Sequence, residues 1–355
     1  MHARRQPRRV IATRPMARRR RRRRALVALG ITSAVVAGTA YGTWQYIEER
    51  EFLLDERCEV TVGEQAMTLS PAQTNSAARL SAAAADRGLP PQAAVHAVAM
   101  SLQETELTSD ETGEDEPAEL FARGTPSWSD GPSAEVSASS VAGFYDVLEE
   151  SWLVGQSEDG SADAEEEAAQ HWGPQLELDE AAEVLQRPHN AQFYPQHLSI
   201  ARAFAWPLAG QQPVDMTCHI SQLEVPGPNP EALVDDIAAT MPNALQIPFT
   251  EPDEGDDGEG DDGEEFVAEP ILTDIVESSG DGEDTVLTVQ VPERDDTADY
   301  QWMLAHWAIA VAREYGIQTV KAGAYTWDRD AGRWDRDDEE PSPSTEVTIG
   351  FARDA

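Results

Sequence analysis

Glu104 and Glu106, near the end of a helical stretch, are the residues whose type and spacing could do chemistry. On a helix Glu104 lies seven residues after Ala97 and four after Met100, so it continues a row of small or apolar side chains. A carboxyl in such a row is withdrawn from water, which favours the protonated form that a general acid needs. Glu106 continues another row through Leu102, and periodicity alone leaves the choice between them open. The spacings GxSxG, HExxH, GxGxxG and the Walker loop are absent. His306, beside Trp307, has no partner at ligand spacing and reads as a packed or surface histidine. Asp253, Asp257, Gly258, Asp261 and Glu264 fall at EF-hand loop positions, but Gly255 spoils one position and no amphipathic helices flank the tract. Glu251 to Glu265 therefore reads as a solvated linker, and neither a metal nor a cofactor is expected.

The elements that must position these groups follow from periodicity. Cys58 to Val62 alternates like a short strand. Ser70-Pro71 opens a helix with Ala77, Ala78, Leu80, Ala83 and Ala84 on one face, closed by Arg87-Gly88-Leu89-Pro90. A second helix starts at Pro91 and runs through Leu102 to about Leu107. Further helices are predicted at Val136 to Leu148, Asp179 to Gln186, His197 to Leu208 and Glu231 to Met241. Residues 108 to 117 and 156 to 168 read as irregular acidic segments. The C-terminal part reads as strand (Thr285 to Val291), helix (Thr297 to Tyr315), strand (Gln318 to Trp327) and strand (Thr345 to Phe351). Trp302, Ala305, Ile309 and Ala312 form the core face of its helix.

Charge divides the chain. Residues 1–24 hold twelve Arg and no acid, whereas the rest holds 14 basic residues against all 66 acids. That balance argues against nucleic acid as a partner. Lys321 is the sole lysine beside 25 arginines, a bias that suggests a GC-rich bacterial gene. Residues 25–47 lack a formal charge for slightly more than the ~20 residues a membrane helix needs. With the basic flank before them, they predict a single-pass protein of the plasma membrane. The lipid bilayer is then a partner through residues 25–47, with the N-terminus cytoplasmic and everything from Glu48 onward extracytoplasmic. The rival reading is a cleaved signal peptide. On the oxidising side, the only two cysteines, Cys58 and Cys218, are expected to form a disulfide, the alternative being two separate buried thiols. Closing so long a loop would contribute about 4 to 5 kcal/mol.

Several stretches resemble one family. They are Cys58-Glu59-Val60-Thr61-Val62, RGLPPQAAVHAVAMSLQETEL at 87–107, Leu120-Phe121, Gly143-Phe144-Tyr145, and EAAEVLQRPHNAQFY at 180–194. The family is that of the actinobacterial membrane-anchored proteins with a lysozyme-like, lytic-transglycosylase-type domain. The resemblance covers about 160 residues. It makes Glu104 the counterpart of the presumed catalytic acid, and Gln103, Phe121, Trp128, Tyr145, Gln186 and Tyr194 the counterparts of groove residues. A family cysteine also matches Cys218, which supports its pairing with Cys58. Where the family reads Gly-Leu-Phe-Gln, this chain has Glu119-Leu120-Phe121-Ala122, and the loop Arg123 to Trp128 is rewritten. The groove is eroded.

The fold class expected is α+β: a tail (1–24), a transmembrane helix (25–47), a mainly α lysozyme-like domain (48–218), a connector with an acidic linker (219–265) and a small α/β domain (266–355). The leading functional expectation is a cell-envelope protein that associates with peptidoglycan and cleaves it weakly or not at all. The alternatives are an active lytic transglycosylase using Glu104, and a scaffold that binds a partner protein through its C-terminal domain.

Overall fold

Strand β1 (Arg57–Val62) buries Cys58 and Val60 and leaves Arg57 and Glu59 half-buried, as its alternation predicts. In the computed structural model, β1 is the centre of a three-stranded antiparallel sheet, between β2 (Gln65–Leu69) and β3 (Met216–His219). Cys58 and Cys218 stand directly opposite each other in the β1–β3 register and form the expected disulfide. The structure describes residues 56–108, 119–122, 139–157, 171–212, 215–222, 225–250, 268–294, 299–337 and 345–352.

Helix α1 (Pro71–Asp86) begins where Ser70 and Gln73 form a capping box and Pro71 occupies the first turn. It ends before Gly88, whose φ is +66°. Helix α2 (Pro91–Thr105) packs on α1 and ends in two left-handed residues, Glu106 and Leu107. That stop leaves Glu104 in the last turn. Helix α3 (Val141–Ser157) runs further than predicted, α4 (Leu178–Val184) falls where expected, and a 3₁₀ segment (Ala191–His197) leads into α5 (Leu198–Leu208). Helix α6 (Pro230–Thr240) follows, capped by Asn229.

The C-terminal strands are β4 (Val276–Ser279), β5 (Val286–Gln290), β6 (Thr319–Ala322), β7 (Tyr325–Asp328), β8 (Arg333–Arg336) and β9 (Glu346–Gly350). They form one antiparallel sheet in the order β4-β5-β9-β6-β7-β8. The single strand expected over Gln318 to Trp327 is instead the β6–β7 hairpin. Gly323, at φ +56°, makes the two-residue turn between paired Ala322 and Tyr325.

Helices α7 (Tyr300–Ala310) and α8 (Ala312–Tyr315) complete the fold. Every residue of α7 is buried, not just one face, because α7 packs on β6 and β9 and also against α1 and α5. A helix enclosed on both sides has no polar face to keep. The N-terminal helices and the C-terminal sheet thus share one hydrophobic core, and Asp55–Ala355 cluster as one compact unit. Polar contacts join the same parts: Arg79 of α1 pairs with Asp236 and Glu314, and the Tyr315 hydroxyl donates to Asp236.

The α+β class stands, with eight α-helices and two sheets among the described residues. The membrane-crossing helix is corrected. Among the described residues no helix is long and apolar enough to cross a membrane. Even α3, at 17 residues, carries Asp146, Glu149 and Glu150 and falls short of the ~20 apolar residues a span requires. Residues 25–47, on which that expectation and the plasma-membrane placement rested, lie outside the described residues. So do the tail 1–24, the acidic tract 251–265 and Trp128.

Candidate functional site

The last turn of α2 carries Gln103 and Glu104. The short segment 119–122 is pinned against it, because the Ser101 and Thr105 hydroxyls both donate to the Leu120 carbonyl, at 2.7 and 2.8 Å. This docking brings the Ala122 amide to 3.0 Å from Glu104 Oε2. Where the resembling family has a glutamine side chain, this chain keeps only that backbone N–H.

Arg187 arrives from the other side. After α4 the chain turns at Gln186, which takes φ +49°, and the Arg187 amide donates back to the Ala182 carbonyl at 2.8 Å. This left-handed stop swings the Arg187 side chain inward while Gln186 remains at the surface. Arg187 Nε donates to Glu104 Oε1 at 2.8 Å, and Nη2 donates to Oε2. Its guanidinium also lies 5.0 Å from the Phe121 ring centre and 5.4 Å from that of Phe144, and those two rings are stacked at 4.1 Å. The Tyr194 hydroxyl supplies a fourth donor, 3.0 Å from Glu104 Oε1. Burial, and then the Glu104 charge, push the Tyr194 phenol above its ordinary range, so the donor keeps its proton.

Glu104 therefore receives four donated hydrogen bonds across its two oxygens. Its side chain has no exposed surface, and that of Arg187 is 2% exposed. A carboxylate surrounded by donors, with a guanidinium on both oxygens, is an acceptor only. A general acid carries a proton and reaches a leaving group, whereas here both Glu104 oxygens are engaged by donors and the side chain has no exposed surface.

The structure brings Glu104, Phe121 and Tyr194 together around Arg187 as a buried cluster. Tyr145 is also buried, and its hydroxyl donates to the Leu80 carbonyl at 2.7 Å. Of the remaining groove candidates, Gln103 and Gln186 reach the surface. Gln103 Oε1 accepts from Gln196 Nε2 at 2.8 Å, and His197 Nε2 lies 3.1 Å from the same oxygen. His189 Nδ1 lies 3.4 Å from Gln103 Nε2, and Phe193 on the same 3₁₀ segment is half exposed. Arg187 is the residue that sequence reasoning missed. Its signal was its place directly after Gln186 in the stretch that carries the resemblance.

Among the described residues no group of His, Cys, Asp and Glu could hold a metal. His306 is fully buried with its Nδ1 3.0 Å from the Pro207 carbonyl, and burial lowers it to about 4. His96 is lowered to about 4 as well, by burial and then by the Arg202 charge, and its Nδ1 accepts the indole N–H of Trp172 at 3.1 Å. Comparisons of this chain with protein-family models, curated proteins and solved structures found no match in any of the three.

Proposed function

We propose that this protein binds peptidoglycan without cleaving it, on a lysozyme-like frame in which the catalytic acid has become a structural clamp. The observation that carries the reading is the closure of Glu104 by Arg187, Tyr194 and the Ala122 amide. Those contacts use the carboxylate to fasten α2, segment 119–122 and the turn after α4 to one another. What supports binding is the surface above the clamp. Gln103, His189 and Gln196 present amide and imidazole groups beside the half-exposed Phe193 ring, a combination suited to sugar hydroxyls and apolar sugar faces.

Sedimentation with purified sacculi tests this reading. The wild-type protein pellets with the sacculi, and Phe193→Ala or Gln103→Ala leaves more of it in the supernatant while the fold, monitored by circular dichroism, is kept. Equal pelleting of wild type and both variants, or no pelleting of the wild type, refutes it.

A further inference from the structure

An open cleft of about 840 Å³ lies between α6 and the β4–β5 hairpin, and each of its walls is fixed by contacts made elsewhere. Helix α6 is held against α1 and α8: the Asn229 amide at its start donates to the Tyr315 carbonyl at 3.2 Å, and Asp236 takes both Arg79 and the Tyr315 hydroxyl. With Leu233 and Ile237 buried, Glu231, Val234 and Asp235, at i, i+3 and i+4, line the cleft. On the other wall the amides of Ile275 and Val276 donate to the Leu272 carbonyl at 3.0 and 2.8 Å, a turn that keeps Leu272 next to Val276 in the lining. Ser278 of β4 and Leu287 of β5, opposite each other in the strand register, complete that wall. The hairpin turn then carries Asp281. Its geometry is set by Gly280, at φ +81°, where an added Cβ would collide with the Asp284 carbonyl.

The lining divides by chemistry. Val234, Leu272, Val276 and Leu287 make an apolar floor, while Glu231 and Asp235 on one wall and Asp281 on the other add exposed carboxylates. None of the described lining residues is Lys or Arg, and among the described residues these three carboxylates have no ion pair, whereas Asp236 beside them has its own arginine. Glu231 and Asp235 also stand one helical turn apart, a spacing at which like charges repel.

We propose that this cleft binds a small amphipathic organic cation, an apolar body that carries an ammonium or guanidinium group. The volume is that of a small-molecule site. The apolar body displaces water from the floor, and the cation relieves the repulsion between Glu231 and Asp235. An exposed carboxylate contributes little to affinity by itself, so the floor supplies most of the binding and the carboxylates select the sign of the charge. A neutral analogue leaves the carboxylates unpaired, and an anion is repelled by them. This site is separate from the surface proposed for peptidoglycan and is independent of that reading.

The test uses the full-length protein and dansylcadaverine, whose apolar fluorescent ring system is joined to a primary ammonium by a short alkyl chain and brightens when it leaves water. Its N-acetylated form, of nearly the same shape but uncharged, is the control ligand. The chain carries a net charge of −40 and attracts any cation, so variants at the cleft are compared with Glu64→Gln/Glu183→Gln, which removes as many charges from exposed positions outside the lining as Glu231→Gln/Asp235→Asn removes within it. Ser278→Arg, at an exposed position, fills part of the cleft and places a guanidinium among its carboxylates without disturbing the core. Saturable binding of dansylcadaverine is expected to weaken at least about tenfold in Ser278→Arg and in Glu231→Gln/Asp235→Asn, to be weaker by a similar factor for the acetylated form, and to be kept in Glu64→Gln/Glu183→Gln. The proposal is overturned if the wild type shows no saturable binding, if either cleft variant binds like the wild type, if the acetylated form binds as well, or if Glu64→Gln/Glu183→Gln loses as much as the cleft variants.

Discussion

Replacing Glu104 with glutamine separates a clamp from a catalytic acid, because the two roles respond oppositely in stability. The side chains have the same shape, but the amide presents an NH₂ where a carboxylate oxygen stood. That NH₂ must face Arg187 Nε and the Tyr194 hydroxyl, or Arg187 Nη2 and the Ala122 amide, all of them donors. Arg187 meanwhile keeps its charge with its side chain 2% exposed. Removing one partner of a buried ion pair costs about 3 to 5 kcal/mol, since the other charge is left uncompensated. Spread over Asp55–Ala355 at an unfolding entropy of about 2.1 cal/mol/K per residue, this lowers Tm by about 5 to 8 °C. Thermal unfolding followed by circular dichroism or calorimetry reads that shift directly. A Glu104→Leu/Arg187→Met double variant, which removes both charges, should recover most of the loss. A Glu104→Gln protein that melts within about 1 °C of the wild type would refute the clamp, because a solvated catalytic carboxylate contributes little to stability.

Three further outcomes follow from the same structure. Burial holds His96 and His306 at about 4, well below their ordinary 6.5, so the unfolded chain takes up their protons first. The stability they contribute is complete above pH 6.5 and is lost as pH falls toward 4, by about 3 kcal/mol for each histidine. Urea titrations between pH 6.5 and 5, where few carboxylates protonate, should show this decline, and a flat profile would contradict it. Cys58→Ser/Cys218→Ser opens a loop spanning 160 residues and should cost about 5 kcal/mol in the chain-entropy account, read as a lower urea midpoint. Gly210→Ala should destabilise by about 2 kcal/mol or more: the residue sits at φ +67° at the end of α5, and an added Cβ would collide with the Asp299 carbonyl. The Asp299 side chain caps α7, so the damage should also appear as faster amide exchange in that helix.

Some features are legible in the local chemistry of the sequence alone. Ser70-Pro71 and Pro91 marked the starts of α1 and α2 because capping and a fixed proline φ act within one turn. Cys58 and Cys218 could be paired because they are the only cysteines. Other features depended on tertiary partners. The spacing of Trp302, Ala305 and Ile309 gave α7 one core face, and tertiary partners explain why polar residues of α7 are buried too: His306 meets the Pro207 carbonyl of α5, and Gln301 donates to the Glu346 carbonyl of β9. The β6–β7 hairpin was hidden because one glycine, Gly323, makes the turn inside an otherwise continuous strand pattern. At the site, the resemblance named Glu104 and Tyr194, and their hydrogen bond is a tertiary contact that neither position reveals; Arg187, which bonds both Glu104 oxygens, was not named. An arginine after a helix end reads as a surface charge, and nothing local reveals that Gln186 adopts a left-handed φ and turns Arg187 inward.

In the proposed function Glu104 is structural and the protein does not cut glycan strands. Incubation of the full-length protein, with Cys58 and Cys218 oxidised, with peptidoglycan sacculi tests it most directly, the soluble products being read by mass spectrometry. No 1,6-anhydromuropeptides are expected above the level of a buffer control, from the wild type or from Glu104→Gln. Their release by the wild type, abolished in Glu104→Gln, would contradict it and make Glu104 a working acid.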